Sequence, residues 1–302
     1  MTNLPTNATT AARRWGLAAM WALVPLVAGP ALAEALDPRR HLFRSTASVG
    51  LWLVWAATLV ATLVPRTVTL TLVRIVTPAA VVAAAWAAAA TPSLGADDAL
   101  ALAITVVTAA VAFAPAVGDV FVNGSSYGDE RRLPLRAPGV LLLGPIELTW
   151  AVVVAGATAG PLLLGDGVWI VGALALVLGW TVAWWGVRSL HLLARRWLVF
   201  TPAGIVVHDQ LAVVEAMLVL RNQVESLGPA PLDSPARDLT QGAPGLALEL
   251  ATREPVAISP TPVRRWRGQH PVVSEDVTSV LFTPSRPGVV LSEAAARHYP
   301  IG

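Results

Sequence analysis

Six mostly apolar segments, at 15–36, 46–64, 67–90, 97–117, 138–164 and 167–187, fix what this chain can become. A helix needs about 20 apolar residues, at about 1.5 Å each, to cross the hydrocarbon of a bilayer, and all six segments reach that length. More than half of the 302 residues are hydrophobic, only 13% are charged, and the mean hydropathy is +0.63. One soluble core of this size could not hide so much apolar side chain. The sequence therefore predicts an integral membrane protein.

Orientation follows from residues 118–136, a polar stretch with Arg131, Arg132 and Arg136 between the fourth and fifth segments. Arginine is retained on the side from which spans are inserted, so this stretch reads as a cytoplasmic connector, with four spans before it and two after. Both termini are then cytoplasmic, together with Arg13, Arg14, Arg66, Arg188, Arg195 and Arg196. The connectors around Asp97-Asp98 and Asp166 are external. Arg39, Arg40 and Arg44 fall on the external side and conflict with the rule. Trp169 near the outer end of the sixth span, and Trp184, Trp185 and Trp197 near its inner end, fit an interfacial belt.

The first segment has two readings. Arg13-Arg14, an apolar stretch and Ala31-Leu32-Ala33 imitate a secretory leader with its cleavage site. The spans that follow favour a first uncleaved span, preceded by a cytoplasmic tail at 1–14.

From Trp197 the long apolar runs give way to short alternating ones. Residues 197–201, a Pro202-Ala203-Gly204 turn, residues 205–208 and residues 213–220 read as strands. Leu246, Leu248 and Leu250 alternate with Ala247, Glu249 and Ala251, as in a strand buried on one face. Residues 228–245 read as a loop, and 279–283 as a last strand. A helix with Pro287 in its first turn closes the chain. Residues 1–197 carry 13 Arg against 9 acidic residues, and residues 198–302 carry 8 against 10, so the two parts differ in kind. The sequence thus divides into a transmembrane domain at 15–196 and a cytoplasmic β-rich domain at 197–302.

Residues 197–209, Trp-Leu-Val-Phe-Thr-Pro-Ala-Gly-Ile-Val-Val-His-Asp, with 218–227 after them, resemble the opening strands of bacterial PH-like domains attached to membrane helices. Residues 121–136, Phe-Val-Asn-Gly-Ser-Ser-Tyr-Gly-Asp-Glu-Arg-Arg-Leu-Pro-Leu-Arg, and 281–288, Leu-Phe-Thr-Pro-Ser-Arg-Pro-Gly, resemble an uncharacterised group of actinobacterial multi-span membrane proteins. That resemblance implies a layout with a C-terminal PH-like domain and brings no activity with it. The fold expected is an all-α membrane bundle of about six helices followed by a small β-rich, PH-like cytoplasmic domain, located in the plasma membrane.

Little in the chain carries chemistry. There is no Cys and no Lys, which excludes disulfides, thiolate sites and Schiff bases. The five His (His41, His191, His208, His270, His298) are isolated, and no hydrolase or metalloprotease motif occurs. Neither an enzyme nor a cofactor is implied. Arg74 and Glu147 stand out because ionisable side chains inside spans are costly and usually functional. They lie roughly 12 and 14 Å in from one surface at about 1.5 Å per residue, near Pro78 and Pro145, and can form a buried pair. The interfacial alternative is favoured: Glu147 in the first turn of a helix starting at Pro145, and Arg74 reaching back to the headgroups.

Residues 156–160, Gly-Ala-Thr-Ala-Gly, offer a face for close helix packing within the protomer. Ser125, Ser126, Arg131, Arg132 and Arg136 can assemble an anion site, although a solvated connector is the commoner arrangement. Arg264, Arg265 and Arg267 around Trp266 can form a membrane-surface patch; a tryptophan packed on the domain beside solvated arginines accounts for the same residues equally well. The partners expected are the bilayer, anionic lipid headgroups or a cytoplasmic protein, and no nucleic acid. Two functions fit: a membrane-anchored binding or scaffolding module, or a small-solute transporter using Arg74 and Glu147.

Overall fold

The computed structural model describes residues 6–90, 95–261 and 274–302. It divides into two compact units: one of Met1–Gly124 with Glu147–His191, the other of Ser125–Ile146 with Leu192–Gly302. The helical unit contains α1 (Thr6–Leu36), α2 (His41–Leu63), α3 (Thr67–Ala90), α4 (Ala96–Phe113), α5 (Pro115–Asn123), α6 (Pro145–Gly165) and α7 (Trp169–Leu193). All of these except α5 are long and apolar enough to cross a membrane, which marks a multi-pass membrane protein.

The fourth segment does not run unbroken to residue 117. Pro115 has no N–H to continue the helix, so α4 stops at Phe113 and a second helix starts at Pro115. Residues 118–123, expected in a connector, belong to α5, with Val117, Phe121 and Val122 buried. Gly124 ends this helix against the Pro65 carbonyl so closely that a Cβ there would lie 1.9 Å from the oxygen.

Prolines inside the spans also account for where several tryptophans sit. Pro25 cannot donate to the Trp21 carbonyl four residues earlier. The Trp55 indole fills that gap with a 3.1 Å bond, while Trp21 Nε1 donates to the Trp55 carbonyl at 2.9 Å. Pro161 leaves the Ala157 carbonyl in the same state, and Trp180 Nε1 donates to it at 3.3 Å. Pro78 frees the carbonyl of Arg74, and Trp150 Nε1 reaches the next one, Ile75, at 2.9 Å. In hydrocarbon, where water cannot satisfy a freed carbonyl, a neighbouring indole N–H is a sufficient substitute. The first segment takes part fully: Trp21, Val24 and Ala28 pack with Val76 and Ala101, and Ala31 of the leader-like motif packs with Ala87.

The α6–α7 hairpin is held by glycine. Gly172, Gly179 and Gly186 recur every seven residues along α7, a spacing that keeps one stripe facing one partner. A Cβ on Gly179 would lie 2.5 Å from the Gly156 carbonyl oxygen, one on Gly156 would lie 2.6 Å from that of Gly179, and one on Gly160 would lie 2.4 Å from Leu176 Cα. The 156–160 face thus packs on α7. Gly179→Ala should therefore destabilise the helical unit, since the obstacle is backbone. Gly50→Ala on α2, where nothing lies within 4 Å, should stabilise it by up to about 1 kcal/mol. Thermal unfolding of the two variants in detergent is expected to move in opposite directions; equal shifts would mean that the hairpin is not closely packed.

At the α6–α7 turn, Arg40 Nη1 donates to the Asp166 carbonyl at 2.5 Å, and Arg44 pairs with Asp37 at 2.6 Å. The α1–α2 and α6–α7 connectors therefore share one end of the bundle. Two of the three arginines that conflict with the charge rule have local acceptors there.

The second unit is built on two sheets around one core. The first has the order β1 (Arg131–Pro134), β2 (Trp197–Phe200), β3 (Gly204–His208), β4 (Met217–Leu220), all antiparallel. The second has the order β5 (Val224–Pro229), β7 (Leu248–Ile258), β8 (Glu275–Phe282), β6 (Arg237–Asp238), with β6 parallel to β8. A terminal helix, α8 (Pro287–Ala296), packs Val290 and Ala294 into the same core.

The loop after α5 thus supplies a strand instead of a connector, and its partner β2 lies beyond two spans. Pairing of residues 131–134 with 197–200 requires both segments on one side of the membrane, as the two intervening spans provide. Residues 138–144, read as the start of the fifth span, lie in this unit and carry a 3-10 turn (Gly139–Leu142) ahead of α6.

Candidate functional site

The side chains of β1 and β2 meet the chain around β3 at a buried ion pair. Trp197 stands opposite His208, so one step further out the register sets Arg196 opposite Asp209. Arg196 Nε and Nη2 donate to the two Asp209 oxygens at 2.8 and 2.7 Å, with the side chains 2% and 1% exposed. Arg196 Nη1 donates to the Arg136 carbonyl at 2.5 Å, and Asp209 Oδ1 also accepts the Leu211 N–H at 3.1 Å. A planar guanidinium fork suits this arrangement: two donors hold the carboxylate and a third reaches the chain leaving β1. From the sequence, Arg196 reads as a residue that merely orients the spans.

On the outward face of the same strands, the Trp197 and His208 rings stack at 5.0 Å with 17° between planes, and the Arg132 guanidinium lies 5.7 Å from Trp197. Trp197 is thus a strand residue here. Arg132 also pairs with Glu130 at 3.1 Å and donates to Ser125 Oγ at 3.3 Å. Burial lowers the pKa of His208, Arg195 and Arg132 lower it further, and Asp209 opposes them. Acidification therefore works against the folded arrangement, because the unfolded chain takes up the proton more readily.

The proposed anion-binding residues are spread by strand geometry. Neighbouring residues in a strand point to opposite faces, so Arg131 and Arg132 diverge. Arg132 is engaged as described, and Arg136 is exposed with its N–H on the Thr283 carbonyl. Ser125 meets Arg132, while Ser126 lies beyond it in the loop ahead of the strand. Arg264, Arg265, Trp266 and Arg267 lie outside the described residues.

In the helical unit, Arg74 and Glu147 are not joined. The Arg74 guanidinium lies 5.5 Å from the Phe113 ring, and Nε donates to the Ala112 carbonyl at 3.4 Å. This is one of the last carbonyls of α4, which lack an intrahelical donor and favour a cation. Glu147 is exposed in the first turn of α6, while Trp150 brings that helix alongside α3 through Ile75. His191, in the last turn of α7, is bonded to the Thr71 hydroxyl at 2.9 Å. Among the described residues no group of three His, Asp or Glu could hold a metal ion.

Six spanning helices with an attached β-rich unit define a multi-pass membrane protein carrying a compact extramembrane domain. No family model, curated protein or solved structure matches the chain.

Proposed function

We propose that this is a plasma-membrane protein whose β-rich, PH-like domain is a cytoplasmic binding or scaffolding module for a protein or for anionic lipid headgroups. One observation carries the reading: the domain is assembled from two separate parts of a membrane-spanning chain, Ser125–Ile146 and Leu192–Gly302, locked together by β1–β2 pairing and by the bond from Arg196 to the Arg136 carbonyl. Such a domain is attached at three chain passages and cannot swing on a single linker. That construction suits presenting a surface, and the helices supply the anchor. Two sheets around one core with a closing C-terminal helix support the PH-like reading.

Reporter fusions after Arg136 and after Gly302 should both give cytoplasmic signals, and a fusion after Gly95 an external one. An external signal at Gly302 would overturn the layout. The transporter reading has one observation in its favour: Arg74 lies beside the helix break at Ala114-Pro115, as polar groups do in discontinuous transporter helices. Solute-evoked currents from proteoliposomes that vanish in Arg74→Gln would move the conclusion to transport.

A further inference from the structure

The first sheet is apolar on both faces. Leu133, Leu198, Phe200, Ile205, Val207 and Val219 point into the core. The alternate positions, which should be polar on a solvated antiparallel sheet, include buried Val199, half-buried Trp197 and Val206, and exposed Leu218 and Leu220, beside Arg132 and His208. Among the described residues no strand pairs with the outer edge of β4, where Leu218 is 45% and Leu220 42% exposed, with Val214 at 48% in the loop before the strand. Exposed apolar side chains gathered on one face mark an interaction surface.

Chemistry on and around this face selects the partner it fits. Its aromatic centre, Trp197 on His208, is the sort of side chain that settles at headgroup level. Arg195 lies just before β2, and burial and neighbouring arginines lower the pKa of His208 against the pull of Asp209. Residues 198–302 alone carry eight Arg and ten acidic residues, but 125–146 and 192–197 add five Arg and two acids, so the assembled unit is no longer acidic. The added cations sit on and around the first two strands of this sheet. Three residues, Ala194 to Arg196, separate the last residue of α7 from the first of β2, so the sheet starts where a span ends.

We propose that the outward face of this sheet, with Val214, Leu218 and Leu220 along its β4 edge, lies in the headgroup layer of the bilayer that α7 crosses, with Arg195 meeting lipid phosphates. The apolar side chains reach the acyl boundary, and the nearby arginines are attracted to an anionic surface. This face is then the lipid-binding side of the module, and the assignment rests on the binding-module reading. It is tested separately, because depth in the membrane is measured without reference to which side the domain occupies.

The chain has no cysteine, so single replacements Leu218→Cys, Leu220→Cys and, as the control, Leu232→Cys can each carry an environment-sensitive fluorophore in the full-length protein. Leu232 is fully exposed, and both β4 side chains point away from the core, so the labels leave the fold intact. In nanodiscs of mixed phosphatidylcholine and phosphatidylglycerol, brominated acyl chains should quench the labels at 218 and 220 and spare the one at 232. Aqueous iodide should give the reverse order. Iodide quenching at 218 and 220 equal to that at 232 would overturn the proposal. Protection of both labels from both quenchers, the result expected if a second copy of the chain covers the face, would overturn it too.

Discussion

Residues 192–302 produced alone should not fold, whereas the same segment preceded by residues 125–146 through a flexible linker should. The missing strand is not peripheral. β1 pairs along its whole length with β2, and Leu133 and Leu135 are 1% and 8% exposed in the shared core. Beyond the strand, Leu135 N–H bonds the Arg196 carbonyl at 3.0 Å and Arg136 N–H bonds the Thr283 carbonyl at 2.9 Å. The Pro134 carbonyl accepts both the backbone N–H and the hydroxyl of Ser285, at 2.9 and 2.6 Å.

Removing residues 125–146 forfeits about 1.5–3 kcal/mol for each buried leucine and leaves β2 as an unpaired edge over a hole beside Leu198, which stands opposite Leu133. Against a typical domain stability of about 5–15 kcal/mol, the loss of two leucines, a ladder of backbone bonds and the third partner of Arg196 is decisive. Dispersed amide resonances and protease resistance are the readouts. A folded 192–302 fragment would mean that β1 is an accessory to a domain complete without it.

How far the sequence alone reveals this fold depends on what each signal competes with. The six spans are legible because a run of about 20 apolar residues suits little besides a membrane crossing. β2, β3 and α8 are legible from alternation, a Pro-Ala-Gly turn and a first-turn proline. β1 is hidden because Arg131-Arg132-Leu133-Pro134 has little apolar alternation, sits in an Arg-rich stretch that topology alone accounts for, and finds its partner only beyond two spans. α5 is hidden by Gly118, Asp119 and Asn123, although Val117, Phe121 and Val122 carry a helical spacing. Trp169, Trp184, Trp185 and Trp197 suggest an interfacial belt, but the sequence gives no comparable sign that Trp55 and Trp180 answer carbonyls freed by prolines, or that Trp21 donates to the Trp55 carbonyl. Matching each in-span proline to its orphaned carbonyl, and asking which indole could reach it, is the route to that link. The partner of Arg196 is also within reach: a hairpin turning at 202–204 with Trp197 opposite His208 places residue 196 opposite residue 209.

That pair should produce the largest effect of any single side chain in the β-rich unit. Arg196→Met leaves the Asp209 carboxylate buried with only the Leu211 N–H, and the Arg136 carbonyl without its donor. The expected cost is about 3–5 kcal/mol, the range for removing one member of a buried pair. Arg196→Lys should recover only part of it, because an ammonium cannot hold both carboxylate oxygens in a planar fork and reach a third acceptor in another direction. The double replacement Arg196→Met with Asp209→Leu should be far less harmful than Arg196→Met alone, since no charge is left stranded and apolar volume replaces the pair.

With Asp209→Leu alone completing the cycle, unfolding of the 125–146/192–302 fusion in denaturant puts the parent and the variants on one scale and isolates the coupling between the two residues. A cost below about 1 kcal/mol for Arg196→Met, the range of exposed ion pairs, would mean that water reaches this site. A double variant as unstable as the sum of its parts would show that the two side chains act independently. In that event Arg196 would stabilise the domain through the chain leaving β1 rather than through Asp209.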